Sequence, residues 1–127
     1  LKAQAEYFDV LSPMPYHARF GHSHDPAWIS RQVLWLGRHL GLEGEAGERL
    51  RIWPIVQLAD WGEKVTPDQV EPVLRHGTAR PARGIIVFHW SGLRGQREKQ
   101  ERMAEVLVSL TSRQAGPKSG QSEKNGR

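Results

Sequence analysis

The side chains best suited to chemistry lie at the ends of three apolar runs. FDVLSPMPYH ends in Tyr16 and His17, RIWPIVQL ends just after Gln57, and GIIVFHW ends in Trp90. An aromatic ring can stack on the C–H face of a sugar while phenol, amide and imidazole groups bond to its hydroxyls. These residue types therefore favour a carbohydrate site at the ends of the runs.

Alternation of side chains along a strand predicts which residues share a face. The three sets are Ser12, Met14 and Tyr16; Trp53, Ile55 and Gln57; and Ile86, Phe88 and Trp90. We therefore expect Tyr16, Gln57 and Trp90 to converge on one rim as substrate contacts, with Met14 and His17 beside them. Each also has an ordinary alternative, such as Met14 as core filler or Trp90 as a packed indole.

A helix is predicted after each run. The first starts at Asp25-Pro26 and stops at Gly41, and the second starts at Thr66-Pro67 with Gln69 completing a capping box. The buried stripes at helical spacing are Ile29, Val33, Leu36 and Leu40; Val70, Val73 and Leu74; and Met103, Val106, Leu107 and Leu110. Strand, loop and helix repeated three times predict an α/β fold of three consecutive βα units with parallel strands.

The strand ends favour a closed barrel over an open sheet. An open sheet that binds a nucleotide usually has a glycine-rich turn after a strand, and none follows these runs. Loops rich in functional groups after the strands are typical of a (β/α)8 TIM barrel, which needs about 250 residues. We therefore expect residues 1–112 to be the last three units of such a barrel, which would need a missing N-terminal part as its partner.

In order and spacing, SPMPYH, IWPIVQ and GIIVFHW resemble the last three strands of glycoside hydrolase-like TIM barrels, most closely the chitinase-like superfamily. Met14 and Tyr16 match a Met-x-Tyr-Asp pattern that ends the sixth strand there, and Trp90 matches the tryptophan that floors the sugar subsite. His17 stands in place of the aspartate, which is a departure. The resemblance implies part of a carbohydrate cleft, with glycosidic bonds hydrolysed by the complete protein and no cofactor.

Glycoside hydrolysis generally uses two carboxylates. The resemblance implies a main acid on the fourth strand, outside this chain, so the segment alone is expected to be inactive. Near the strand ends, Asp60 and Glu63 follow the second run, and Asp60 is the better catalytic candidate because it is closer. Its alternative is a polar loop residue.

Two other functions stay open. HARFGHSHD holds three histidines and an aspartate, which would suit a metal-dependent barrel hydrolase with histidines at strand ends, although Asp25 already serves as a predicted helix cap. The other is a non-catalytic carbohydrate-binding barrel that has kept its aromatic residues.

Composition excludes several classes. Cysteine is absent, so disulfides and thiolate metal sites are excluded, and no run approaches the roughly 20 apolar residues of a membrane span.

Residues 113–127 carry three of the four net positive charges, so we expect a disordered basic tail and no nucleic-acid partner. The charged stretch RGQREKQER, residues 94–102, is expected on the solvated face of the last helix, with Glu98 and Arg102 paired. No secretory leader is visible in this segment, and an extracellular or periplasmic parent stays possible.

Overall fold

The computed structural model describes residues 1–42 and 49–115. They form a mixed α/β structure with short parallel strands. In chain order, after a 3-10 turn at Ala5–Tyr7, the elements are β1 Val10–Leu11, α1 Ala27–Leu40, β2 Arg51–Ile52, β3 Ile55–Gln57, α2 Pro67–Gly77, β4 Ile86–Phe88, α3 Trp90–Leu93 and α4 Arg97–Ala115. The α/β class predicted from the alternating pattern is confirmed.

The second run lies between the other two. Its first part, β2, pairs in parallel with β1, and its second part, β3, pairs in parallel with β4. Pro54 separates β2 from β3, since proline has no N–H to donate to a ladder. Hydrogen bonds bridge the gap on both sides, from Ile55 N to Pro13 O at 2.8 Å and from Ile86 N to Pro54 O at 2.9 Å. Pro13, Pro15 and Pro54 interrupt the first two runs, and their strands are shorter than predicted; the strand of the third run, which has no proline, is also shorter.

The strands form two two-stranded parallel sheets, β1 with β2 and β3 with β4, and the helices cover only one face of them. Ile52 and Val56 lie on the covered face, in two apolar clusters to which the helices contribute. The helix residues in those clusters are Ile29, Val33 and Leu36 of α1, Val70, Val73 and Leu74 of α2, Leu93 of α3 and Val106 of α4. On the other face Trp53 is only half-buried and Ile86 is exposed. The covered face is therefore the core, as the helical stripes predicted.

Most helix boundaries match the prediction, with two corrections. Gly41, with φ of 67°, ends α1, and Thr66 precedes Pro67 at the start of α2. However, α1 begins at Ala27, two residues after the predicted cap, and the Asp25 carboxylate forms an ion pair with Arg31. The predicted capping box is also wrong, because the Thr66 side chain makes no cap bond and the Gln69 side chain bonds elsewhere.

The last helix extends further than predicted. α4 continues through Ala115, so its final residues belong to the segment expected to be a tail, and residues 116–127 lie outside the described part of the chain. The predicted pair of Glu98 and Arg102 is confirmed, at 3.7 Å. Lys99, expected in solvent between them, is instead almost completely buried. Within the described ranges, no helix combines the length and apolar character that crossing a bilayer requires.

Candidate functional site

Three aromatic rings meet where the three runs end, and we call Tyr16, Trp61 and Phe88 the aromatic cluster. The ring centroids lie 5.0 Å apart for Tyr16 and Phe88, 5.6 Å for Tyr16 and Trp61, and 5.5 Å for Trp61 and Phe88. All three pairs are tilted, at separations favourable for aromatic contact. The cluster therefore joins the ends of strands that are distant in sequence.

Trp61, and not Tyr16, is the open member of this cluster. The Tyr16 side chain is buried, and this burial raises the pKa of its phenol. The Trp61 side chain is 45% exposed. Sequence reasoning placed Tyr16 at the rim and missed Trp61, which lies in the loop after the second run and so beyond the reach of strand parity.

Gln57, predicted to present its amide at the mouth, is fully buried. Its Nε2 donates to Ala59 O at 2.9 Å and Trp61 O at 2.8 Å, and its Oε1 accepts from Arg19 N at 3.0 Å. Both amide protons are therefore used inside the protein. In this structure Gln57 joins the loop after β1 to the loop after β3.

Arg19 lies over the exposed tryptophan. Its guanidinium carbon is 5.3 Å from the Trp61 ring centroid, within cation–π range. Gly62 makes this approach possible, because its φ is 83° and a Cβ there would lie 3.0 Å from Arg19 Cα. The two loops thus pack closely enough to hold a cation beside the aromatic cluster.

Asp60 is held by a buried lysine. Lys99 Nζ donates to Asp60 Oδ1 at 2.9 Å and to Leu58 O at 3.0 Å, and Val65 N also donates to Asp60 Oδ1, at 2.9 Å. Burial opposes ionisation of Asp60, but the bonds from Val65 and Lys99 and the lysine charge outweigh it and hold the pKa of the carboxyl below its usual value. Asp60 is therefore an ionised loop anchor in this structure.

His17 is also fully buried and engaged. Its Nε2 lies 3.2 Å from Gln69 Oε1, and Gln69 Nε2 donates to Ser23 O at 2.6 Å. Since the Gln69 amide nitrogen faces a carbonyl, its oxygen accepts from His17 and the proton is on Nε2. Burial lowers the pKa of His17, so the ring is neutral, and its Nδ1 has no partner among the described residues.

Trp90 and Met14 lie outside the cluster contacts. Trp90 begins α3 and is 64% exposed, directly after His89, whose Nδ1 accepts from Gly92 N at 3.1 Å. His89 packs edge-on against Phe88 of the aromatic cluster, with ring centroids 4.4 Å apart. Trp90 therefore follows in the chain directly after a residue that contacts the cluster. Met14 is exposed beside Trp28 and Trp35 of α1.

The histidine-rich loop does not assemble a metal site. His22 stacks on Trp28 with centroids 4.4 Å apart, and Asp25 pairs with Arg31. Among residues 1–42 and 49–115, no three histidine or carboxylate side chains are grouped to hold a metal ion. The metal-dependent alternative has no ligand set in this part of the chain.

The fold and site together define an α/β protein with an aromatic cluster at the carboxyl ends of parallel strands. Comparison with protein-family models, with curated proteins and with solved structures finds no match. The likeness to glycoside hydrolase-like barrels therefore depends on the residues of this chain alone.

Proposed function

We propose that this chain forms part of a carbohydrate-binding cleft in a glycoside hydrolase-like (β/α) barrel. The observation that carries the proposal is the exposed Trp61 ring, supported by Tyr16 and Phe88 at the ends of three strand runs. An aromatic platform with polar groups beside it suits a sugar ring. Trp90, exposed one residue after His89, would extend the platform.

The distribution of apolar residues supports the barrel. The helices cover one face of the strands, as the outer ring of a barrel does, and the opposite face includes Trp53 and Ile86, only partly covered. Trp53 Nε1 is buried without a hydrogen-bond partner among the described residues. The indole packs on Gly84, where an added Cβ would stand 2.8 Å from that nitrogen, so Trp53 joins the second run to the third on this face.

We propose that the part of the cleft formed by this chain binds the carbohydrate. The rest of the barrel would supply the catalytic acids. Asp60, the catalytic candidate, already accepts from Lys99 and Val65. An ionised, ion-paired carboxylate is poorly suited to donate a proton to a leaving group. This same observation favours the second candidate function, a carbohydrate-binding barrel without turnover.

Tryptophan substitutions test the binding proposal. We expect Trp61→Ala and Trp90→Ala each to weaken binding of the 127-residue chain to its oligosaccharide about 5- to 10-fold, the value of one aromatic contact. Trp35→Ala is the matched control, because Trp35 is 61% exposed but lies on α1, stacked on His39. Titration calorimetry against panels of neutral and acidic oligosaccharides measures the affinities.

Two outcomes contradict the proposal. One is the absence of binding to every saccharide in the panels. The other is an equal loss of affinity in Trp35→Ala and Trp61→Ala, which would indicate nonspecific adsorption to exposed indoles.

A further inference from the structure

We infer that the sugar taken by this site is anionic, a uronic acid unit whose carboxylate binds Arg19. The inference depends on the proposed carbohydrate function and goes further by naming the substrate class. It rests on the charge of Arg19, on how its side chain is held and on its distance from Trp61.

Arg19 carries a charge that no carboxylate neutralises. Within residues 1–42 and 49–115, no ion pair includes Arg19. Some other cations of the described chain do have such a partner: Lys99 pairs with Asp60, and Arg75 pairs with Glu71. The Arg19 side chain is also exposed, so its guanidinium donors are accessible to a ligand.

The position of Arg19 is set from three directions. Gln57 Oε1 binds its main-chain N–H, Gly62 packs against its Cα and Cδ, and its guanidinium lies over the Trp61 ring. These contacts fix the main chain of Arg19 and place its guanidinium beside Trp61 before any ligand arrives. Less entropy is then lost when a ligand binds, which is the condition for a useful binding group.

The distance between Arg19 and Trp61 fits the shape of a uronic acid. In such a sugar, a carboxylate is bonded directly to one carbon of a ring whose faces present C–H groups. The exposed part of Trp61 can take the ring while the planar guanidinium, 5.3 Å from the indole centroid, binds the carboxylate through two parallel hydrogen bonds. A neutral sugar would offer the guanidinium only hydroxyl oxygens, which accept weaker hydrogen bonds than a carboxylate does.

Matched ligands test this inference. Oligogalacturonate and oligoglucuronate are each compared with their methyl esters, which keep the rings and linkages but remove the charge. We expect any of these oligouronates that binds to do so at least about tenfold more tightly than its methyl ester. This preference for the acid over the ester should shrink as salt is added. Arg19→Gln should abolish the preference, whereas Arg19→Lys should keep part of it because the charge remains without the planar fork.

Lys64→Gln is the control, since Lys64 is an exposed cation in the same loop as Trp61 and should leave the preference unchanged. Equal affinity for acid and ester, failure of both acids to bind, or a preference that survives in Arg19→Gln would overturn the inference. Binding of neutral sugars alone would leave the carbohydrate proposal in place. Binding of neither neutral nor acidic sugars would overturn both.

Discussion

Lys99 and Asp60 form an ion pair at 2.9 Å across 39 residues of sequence. Lys99 is 2% exposed, and its ammonium also binds the main-chain oxygen of Leu58, so two of its three donors are used at the end of the second run. Helix α4 is thereby attached to the loop that carries Trp61. The pair links the stability of the helix to the geometry of the candidate site.

Removing the buried ammonium should loosen this attachment. We expect Lys99→Met to lower the free energy of unfolding by about 1–3 kcal/mol, because Leu58 O loses its donor and Asp60 loses its counter-charge. Denaturant unfolding followed by circular dichroism measures the change. Lys64→Met removes the same charge from the exposed surface and should change stability by less than about 0.5 kcal/mol; equal effects of the two substitutions would count against the buried bond.

The same pair predicts an acid-dependent loss of stability. Because the folded state holds the pKa of Asp60 below its usual 3.8, the carboxylate contributes stability that is fully present above that pH. The contribution is lost as the pH falls through the lower folded pKa. The stability difference between the native chain and Asp60→Asn should therefore be constant from about pH 8 to 5 and shrink below about pH 4; a difference independent of pH would contradict it.

Gln57 should be essential for the geometry of both loops. Gln57→Leu fills a similar volume but leaves the partners of the amide, including Arg19 N and Trp61 O, without hydrogen bonds. We expect a loss of about 3 kcal/mol in the free energy of unfolding and a shift in Trp61 fluorescence. Gln32→Leu, at an exposed position of α1, is the control. An unchanged spectrum in Gln57→Leu would show that the loops hold their positions without the amide.

His17 should make the protein less stable as the pH falls below neutrality. Burial lowers its pKa below the usual 6.5, so the folded state disfavours the imidazolium. The free energy of unfolding should be highest above pH 6.5 and decline as the pH is lowered from 6.5 to the folded pKa of this group. Nitrogen-15 spectra of the ring should show the proton on Nε2.

A substitution isolates the contribution of this ring. His17→Phe should flatten the decline in that range, while His39→Phe, on the exposed surface of α1, should keep it. An equally steep decline in His17→Phe would assign the pH dependence to another group.

Gly62 should be required for the approach of Arg19 to Trp61. An alanine at φ of 83° costs about 1 kcal/mol in backbone energy alone, and its Cβ would press on Arg19 Cα. Gly95 has a similar φ of 85° but open space on the side where a Cβ would stand, so Gly95→Ala measures the backbone cost separately. We expect Gly62→Ala to cost at least about 1 kcal/mol more than Gly95→Ala. Equal costs would show that the loops can separate without penalty.

The sequence predicted the elements better than the site. The strand runs and the buried faces of the helices could be predicted from the spacing of apolar residues along the chain. Val56, Val73 and Leu74, for example, are buried as that spacing indicates. Pro54 divides the second run into two short strands, β2 and β3. The apolar pattern does not show this division, because strand pairing also depends on which main-chain N–H groups can donate to a neighbour.

The site was harder because its residues are positioned by loops. Asp60 could be recognised as a carboxylate after a strand, but its partner Lys99 lies in a charged helix segment that resembles a solvated surface. Trp61 and Arg19 meet only because Gln57 and Gly62 bring two loops together. Such contacts between distant segments leave no periodic signal in a single sequence.

The bonds of Gln57 have a consequence for how the site could diversify. Its amide touches main-chain atoms only: the nitrogen of residue 19 and the oxygens of residues 59 and 61. These bonds therefore do not depend on which side chains stand at positions 19 and 61. Mutation at those two positions can change the chemistry offered to a ligand while the loop framework persists, so that new ligand preferences are reachable by single amino-acid exchanges.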